Sequence, residues 1–328
     1  VTGVQTCALP IYRRTVAPAP NPRAGRVNTP LVILGPTASG KSDTAMAYAT
    51  ERAGTEILAV DAMQVYRRMD VGTAKPTAAD RAAVPHHGLD LAEPSDEFTV
   101  AEFARAASAA LTDIAARGRR ALLVAGTGLY LRALTDPMDI PGRWPEVRAE
   151  LEQRAAQEGS LALHAELAAL DPVAAARMEP SNDRRVVRAL EVTLGSGRPF
   201  SSFGPGIATY PAVPFVQMGL QWDRTRLAER IALRVHRMIE AGLVAEVASL
   251  LDAPGGLSRT SAQALGYKEI IAHLVGEVSL DEAIDTIIVR TRQFAVRQER
   301  WFRRDPRIRW VHIEHDPVAE VLPVLAAL

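Results

Sequence analysis

The chain has 328 residues, 48% hydrophobic and 23% charged, which is enough apolar material for one large domain or two ordinary ones. Its 38 lysines and arginines cancel 38 aspartates and glutamates, so any attraction to nucleic acid or to a membrane must come from local clusters. The only cysteine, Cys7, excludes an intramolecular disulfide framework and a CxxC zinc site, and fits a reducing compartment, with the cytoplasm as the expected location.

Residues 1–29 carry Pro10, Pro18, Pro20 and Pro22 with scattered arginines and no sustained period, and read as a tail outside the fold, either disordered or a translated adaptor remnant. LVIL (31–34) then predicts a strand, residues 43–52 a helix, and EILAV (56–60) a second strand ending at Asp61. A helix over 100–117 leads to the strand ALLVA (121–125), which runs into Gly126, Thr127 and Gly128. Residues 137–213 change to alanine- and glutamate-rich helical segments and read as an inserted helical subdomain. PFVQMGL (214–220) predicts a returning core strand, followed by long helices over 224–251 and 279–303. No apolar run reaches the roughly 18 residues of a membrane helix, so no membrane is expected as a partner. Strands alternating with helices call for a parallel sheet with its ligand site at the strand C-terminal ends, where Gly35, Asp61 and Gly126 should converge.

The segment GPTASGKS, made of Gly35, Pro36, Thr37, Ala38, Ser39, Gly40, Lys41 and Ser42, matches G-x-x-x-x-G-K-[ST] between a predicted strand and a predicted helix. Small residues let backbone amides curl round phosphate oxygens, Lys41 supplies a cation, and Ser42 can ligand Mg²⁺. The fold class expected is therefore α/β, a P-loop NTPase-like parallel sheet flanked by helices, with residues 30–136 and 214–328 as the core. A Walker B strand should end in an acidic residue. The run 121–125 ends in glycine and threonine, which leaves EILAV-Asp61 as the alternative.

GPTASGKS is followed in order by DAMQVYRRMDVGTAKP (61–76), AGTGLYLRAL (125–134), RRVVRALEV (184–192), ALGYKE (264–269) and TRQFAVRQERWFRR (291–304). Together these resemble the tRNA dimethylallyltransferase family over most of the chain. The resemblance implies transfer of a dimethylallyl group from dimethylallyl diphosphate to N6 of the adenine 3′ of the anticodon, with Mg²⁺ as cofactor and the tRNA anticodon stem-loop as partner, by a monomer. It implies that Asp61 is the base for the N6 proton, that Thr127 hydrogen-bonds near the bridging oxygen, and that Arg234 is a cation on the diphosphate. A phosphate loop without a convincing Walker B makes sense if the diphosphate is a leaving group. The rival reading is a small-molecule P-loop kinase.

The resemblance also places tRNA contacts at Asp61, Ala62, Met63, Gln64 and Thr127, at Gln263, Gly266, Tyr267 and Lys268, at Arg148, Arg184, Arg185 and Arg188, and at Arg292 and Arg297. Independently of it, residues 290–309 hold eight arginines against Glu299 and Asp305, interleaved with Phe294, Trp301, Phe302 and Trp310, which predicts a basic, aromatic-bearing helix suited to a looped RNA. Two positions depart from the family pattern: Val296 replaces a basic residue, and Ala125 replaces a glycine.

Overall fold

The computed structural model describes residues 29–204 and 206–328; apart from Thr29, the expected tail, with Cys7, lies outside the described residues. Six strands form one sheet: β1 (Leu31–Leu34), β2 (Thr55–Val60), β3 (His86–His87), β4 (Arg120–Ala125), β5 (Val216–Trp222) and β6 (Arg309–Ile313). Every pairing is parallel and the order is β3-β2-β4-β1-β5-β6. β1 and β2 are buried at every position, as strands covered by helices on both faces must be. Around the sheet lie α1 (Lys41–Glu51), α2 (Ala78–Ala83), α3 (Val100–Ala116) and α4 (Gly128–Thr135). α5 (Pro145–Glu158), α6 (Ser160–Leu170), α7 (Pro172–Ala175) and α8 (Asp183–Ser196) follow, and α9 (Arg224–Glu240), α10 (Leu243–Asp252), α11 (Tyr267–Leu274), α12 (Leu280–Phe302) and α13 (Pro317–Ala326) complete the chain. None of these helices is long and apolar enough to cross a membrane.

β1 sits between β4 and β5, with Leu34 opposite both Ala125 and Gly219. The chain passes to one side of β1 for β2 and β4 and to the other for β5 and β6. This reversal leaves a crevice at the strand C-terminal ends beside β1, where open α/β sheets hold ligands.

Residues 145–196 build their own small core from Leu151, Leu163, Leu167, Val186 and Leu190, separate from the main one. The chain leaves the sheet region at Asp136 and comes back past residue 207, and both crossings are pinned by one ion cluster. Asp136 pairs with Arg132 and Arg307, while Arg132 donates to the carbonyls of Ile207 and Thr209 and Arg307 to that of Pro211 at 2.8 Å. Arg132 and Arg307 also both lie over the ring of Tyr210.

Three expectations are corrected. The single helix over 224–251 is two helices, because Gly242 takes φ 98° and turns the chain between α9 and α10. The basic helix ends at Phe302, so Arg307 and Arg309 lie beyond it, with Arg309 opening β6. β3 and β6 go beyond the sequence reading, β3 because two residues are too short to show an alternation and β6 because its strand-forming RWVHI directly follows the arginine-rich run read as a helix.

Candidate active site

The three strand ends do converge. The Gly35 amide donates to the Ala125 carbonyl at 3.3 Å, and the Gly126 amide to the Val60 carbonyl at 3.2 Å, so the loops after β1, β2 and β4 are stitched to one another.

The phosphate loop holds a conformation that most residues avoid, with Ala38 at φ 61° and Gly40 at φ 86°. Its carbonyls are gripped from α9 and β5: Arg230 Nε donates to Ala38 O at 2.9 Å and Trp222 Nε1 to Ser39 O at 3.0 Å, with the Arg230 guanidinium stacked 4.5 Å over the Trp222 ring. Turning these carbonyls outward leaves the amides at the start of α1 facing the crevice. Those of Gly40, Lys41 and Ser42 have no acceptor among the described residues, which makes them an anion cradle at a helix N-terminus.

A cleft of about 420 Å³ opens from this cradle and is lined by Lys41, Ser42, Asp61, Thr127 and Arg234 at its polar end. Lys41 Nζ donates to Pro36 O at 3.2 Å. Burial and the neighbouring Arg234 push this ammonium down to about 8, with Asp61 and Asp43 acting in the opposite sense. Arg234 is likewise lowered by burial and supported by Asp61 and Asp43. Lys41 must carry its proton to hold an anion, so above about pH 8 the affinity for inorganic diphosphate is expected to fall by up to ~10-fold per pH unit. The ligand's own titration cancels in the ratio of wild-type to Lys41→Met affinity. That ratio should decline over the same range, and a flat ratio would show that Lys41 does not titrate there.

Asp61 sits at the end of β2 with its two oxygens in different settings. Oδ1 accepts the amides of Met63 at 2.8 Å and Gln64 at 3.3 Å, an Asx-type turn that fixes the carboxylate plane. Oδ2 lies over Gly126 and receives no hydrogen bond among the described residues. Thr127, at the N-cap of α4, accepts the Ala62 amide on Oγ1 at 3.2 Å, which leaves its own hydroxyl hydrogen free to donate into the cleft.

Of the residues expected to meet RNA, Ala62, Met63, Gln64, Gln263, Gly266, Tyr267 and Arg297 line the same cleft, while Lys268 and Arg292 are exposed outside its lining. Tyr267 is fully buried and gives its hydroxyl to Glu246 at 2.6 Å. Gly266 provides the N-cap of α11. Arg184 and Arg185 are exposed on α8 and are not among the residues that line the cleft. Arg148 and Arg188, with side chains 31% and 27% exposed, both pair with the buried Glu191, at 3.3 and 2.9 Å. The arginine run is thinned in the same way: Arg290 pairs with Glu269, Arg303 with Glu299, and Arg307 with Asp136 and Asp305. Phe302 is buried, Trp301 packs on Gly128, and Trp310 packs on Gly219, which leaves Phe294 as the aromatic of that run in the cleft wall.

Two residues escaped the sequence reading. Gln298 on α12 accepts the Thr37 amide at 2.9 Å and donates to Gly126 O at 2.7 Å. Glu246 on α10 accepts the amides of Asp70, Val71 and Gly72 at 2.9, 2.7 and 3.1 Å, and so holds the loop whose Thr73 and Ala74 carbonyls anchor the Gln64 side chain. Glu246 lies outside every segment that carries the resemblance, while Gln298 lies inside TRQFAVRQERWFRR (291–304) but is neutral, so its partners cannot be named from spacing.

A family model described as IPP transferase matches residues 64–305, and one described as isopentenyl transferase matches residues 29–85. The chain is 49% identical over 290 residues to a tRNA dimethylallyltransferase of Thermobifida fusca, covering 87% of this chain and 90% of that one. It is also 49% identical over 284 residues to one of Geobacter metallireducens, covering 86% and 91%. Among solved structures, a tRNA isopentenylpyrophosphate transferase of Bacillus halodurans aligns with a TM-score of 0.64 at 39% identity, covering 92% of this chain and 96% of that one. A eukaryotic dimethylallyltransferase acting on tRNA shares the fold, with a TM-score of 0.72 at 24% identity over 87% of this chain and 74% of that one. With a matched model spanning most of its length and relatives near half identical over nearly all of theirs, the chain belongs to the IPP transferase family.

Proposed function

We propose that this enzyme transfers the dimethylallyl group of dimethylallyl diphosphate to N6 of the adenine 3′ of the anticodon in tRNA, releasing diphosphate. The observation that carries this reading is a single cleft with an anion cradle at one end and, beside it, a carboxylate with one oxygen free, reached past residues 62–64 and 263–267.

In the reaction the allylic carbon–oxygen bond breaks, a carbon–nitrogen bond forms, and the N6 proton must leave. Lys41, Arg234 and the loop amides face the oxygens where negative charge accumulates, and stabilise the departing group more than the intact donor. The free hydroxyl hydrogen of Thr127 suits a bond to the bridging oxygen. Asp61 Oδ2 is the acceptor for the amine proton, which has to be removed because an adenine amine is a poor nucleophile. The target base is stacked in its loop, so it must turn out of the RNA to enter the cleft.

Among the described residues no group of three His, Cys, Asp or Glu side chains could cage a metal, while the Ser42 hydroxyl lines the cleft beside the anion cradle. That donor set fits Mg²⁺ carried chiefly by diphosphate oxygens and water, with Ser42 as the protein ligand. The ion would neutralise charge on the leaving group.

The deciding experiment incubates the protein with labelled dimethylallyl diphosphate and an anticodon stem-loop. Label should pass to the RNA; consumption of ATP with no labelled RNA would favour a kinase. Arg297 is exposed at the cleft and rests against Phe294, 5.9 Å from the ring centre. Arg297→Ala should weaken stem-loop binding and make the log–log salt slope shallower by about 0.7–0.9. An unchanged slope would show that Arg297 meets only solvent.

A further inference from the structure

The loops that hold the two reactants arise from different strands, yet a single side chain on the helix bearing the RNA-facing arginine touches both. Gln298 is 7% exposed, and its amide is used at both ends: Oε1 takes the Thr37 amide of the phosphate loop, and Nε2 gives a hydrogen to the Gly126 carbonyl of the turn after β4. Gly126 immediately precedes Thr127, whose Oγ1 in turn holds the Ala62 amide next to Asp61. The path from donor loop to base therefore runs through one amide group.

We propose that Gln298 is a positioning residue that sets the separation between the diphosphate cradle and the Asp61–Thr127 pair, and so the distance over which the allylic carbon meets N6. The assignment rests on the transfer reaction proposed above. The geometry singles out glutamine. The strut needs an acceptor and a donor on one planar group, which excludes glutamate, lysine and arginine; asparagine has the group but is one methylene too short to span the same two partners. The bond to Gly126 is buried and the bond to Thr37 partly so, and cutting the strut leaves the Gly126 carbonyl without this partner in a buried setting. Among the described residues the same two loops are also joined by the 3.3 Å bond from the Gly35 amide to the Ala125 carbonyl, where the strands β1 and β4 end. Effective reaction requires the reacting atoms near 3–3.5 Å apart, and an error of about 1 Å costs on the order of 10²-fold in rate.

The test uses Gln298→Met, which keeps length and volume without hydrogen bonds, and Gln298→Glu, which keeps the acceptor for Thr37 and loses the donor to Gly126. For each full-length variant and the wild type, the dissociation constants of dimethylallyl diphosphate and of the anticodon stem-loop are measured separately. The single-turnover rate is then measured with both saturating and expressed per folded molecule. Expected is a rate lowered roughly 10- to 100-fold in Gln298→Met, and at least 10-fold in Gln298→Glu, with both dissociation constants within about threefold of wild type. A wild-type rate at saturation in the folded variants would reduce Gln298 to a structural role and overturn the proposal. A selective loss of donor affinity with a normal saturated rate would make it a donor ligand and overturn it as well. Absence of transfer by the wild-type protein itself would instead overturn the reaction on which the proposal depends.

Discussion

Asp61→Asn is expected to slow single-turnover transfer by on the order of 10²-fold or more at saturating substrates, with stem-loop affinity changed by less than about threefold. The asparagine oxygen can still accept the Met63 and Gln64 amides, so the turn that presents residues 62–64 stays in place. What is lost is the basic oxygen over Gly126. The carboxylate also supports the proton on Lys41, so the variant should be compared near pH 7, below the value of about 8 at which that ammonium titrates. A parallel loss of RNA affinity would move Asp61 from proton acceptor to scaffold.

The largest expected effect on stability lies elsewhere. Asp136→Ala should destabilise the fold by about 3–5 kcal/mol, because it strips the shared carboxylate from two guanidinium groups held in a nearly dry cluster. The Asp136 side chain is 2% exposed, that of Arg132 5% and that of Arg307 15%. Arg307 retains Asp305 at 2.6 Å, but Arg132 keeps only carbonyl partners and the Tyr210 ring. Urea unfolding followed by far-ultraviolet circular dichroism measures the loss. A value below about 1 kcal/mol would show the cluster to be hydrated and weakly coupled.

That same cluster shows where the amino-acid sequence stopped being informative. The phosphate loop and the strands β1, β2, β4 and β5 are legible because each rests on local pattern: an apolar run, a glycine, a helix start. The convergence of Gly35, Asp61 and Gly126 follows from the topology those runs imply. Arg307, by contrast, reads as one of eight cations in a row until Asp136, 171 positions earlier, is seen beside it. Arg148 and Arg188 read as lone cations until Glu191 is found buried between them. For Arg307 and Arg148 the carboxylate lies 171 and 43 positions away, where the sequence alone does not place it, whereas Glu191 is one helical turn from Arg188. Gln298 is the converse case. It is uncharged, and although it sits in the segment TRQFAVRQERWFRR, its partners are seen only because α12 lays it across two loops that belong to other strands.

The helical unit leaves and rejoins the sheet-bearing part of the chain at a single gathered point, where Arg132, Asp136 and Arg307 tie residues 207–211 to the end of α4. It is thus a bracketed appendage on a closed frame. Its outline can be lengthened, trimmed or exchanged over generations without rethreading a strand or shifting the chemical centre. A chimera that borrows this portion from a distant relative should keep the six-stranded sheet and the cleft at its strand ends.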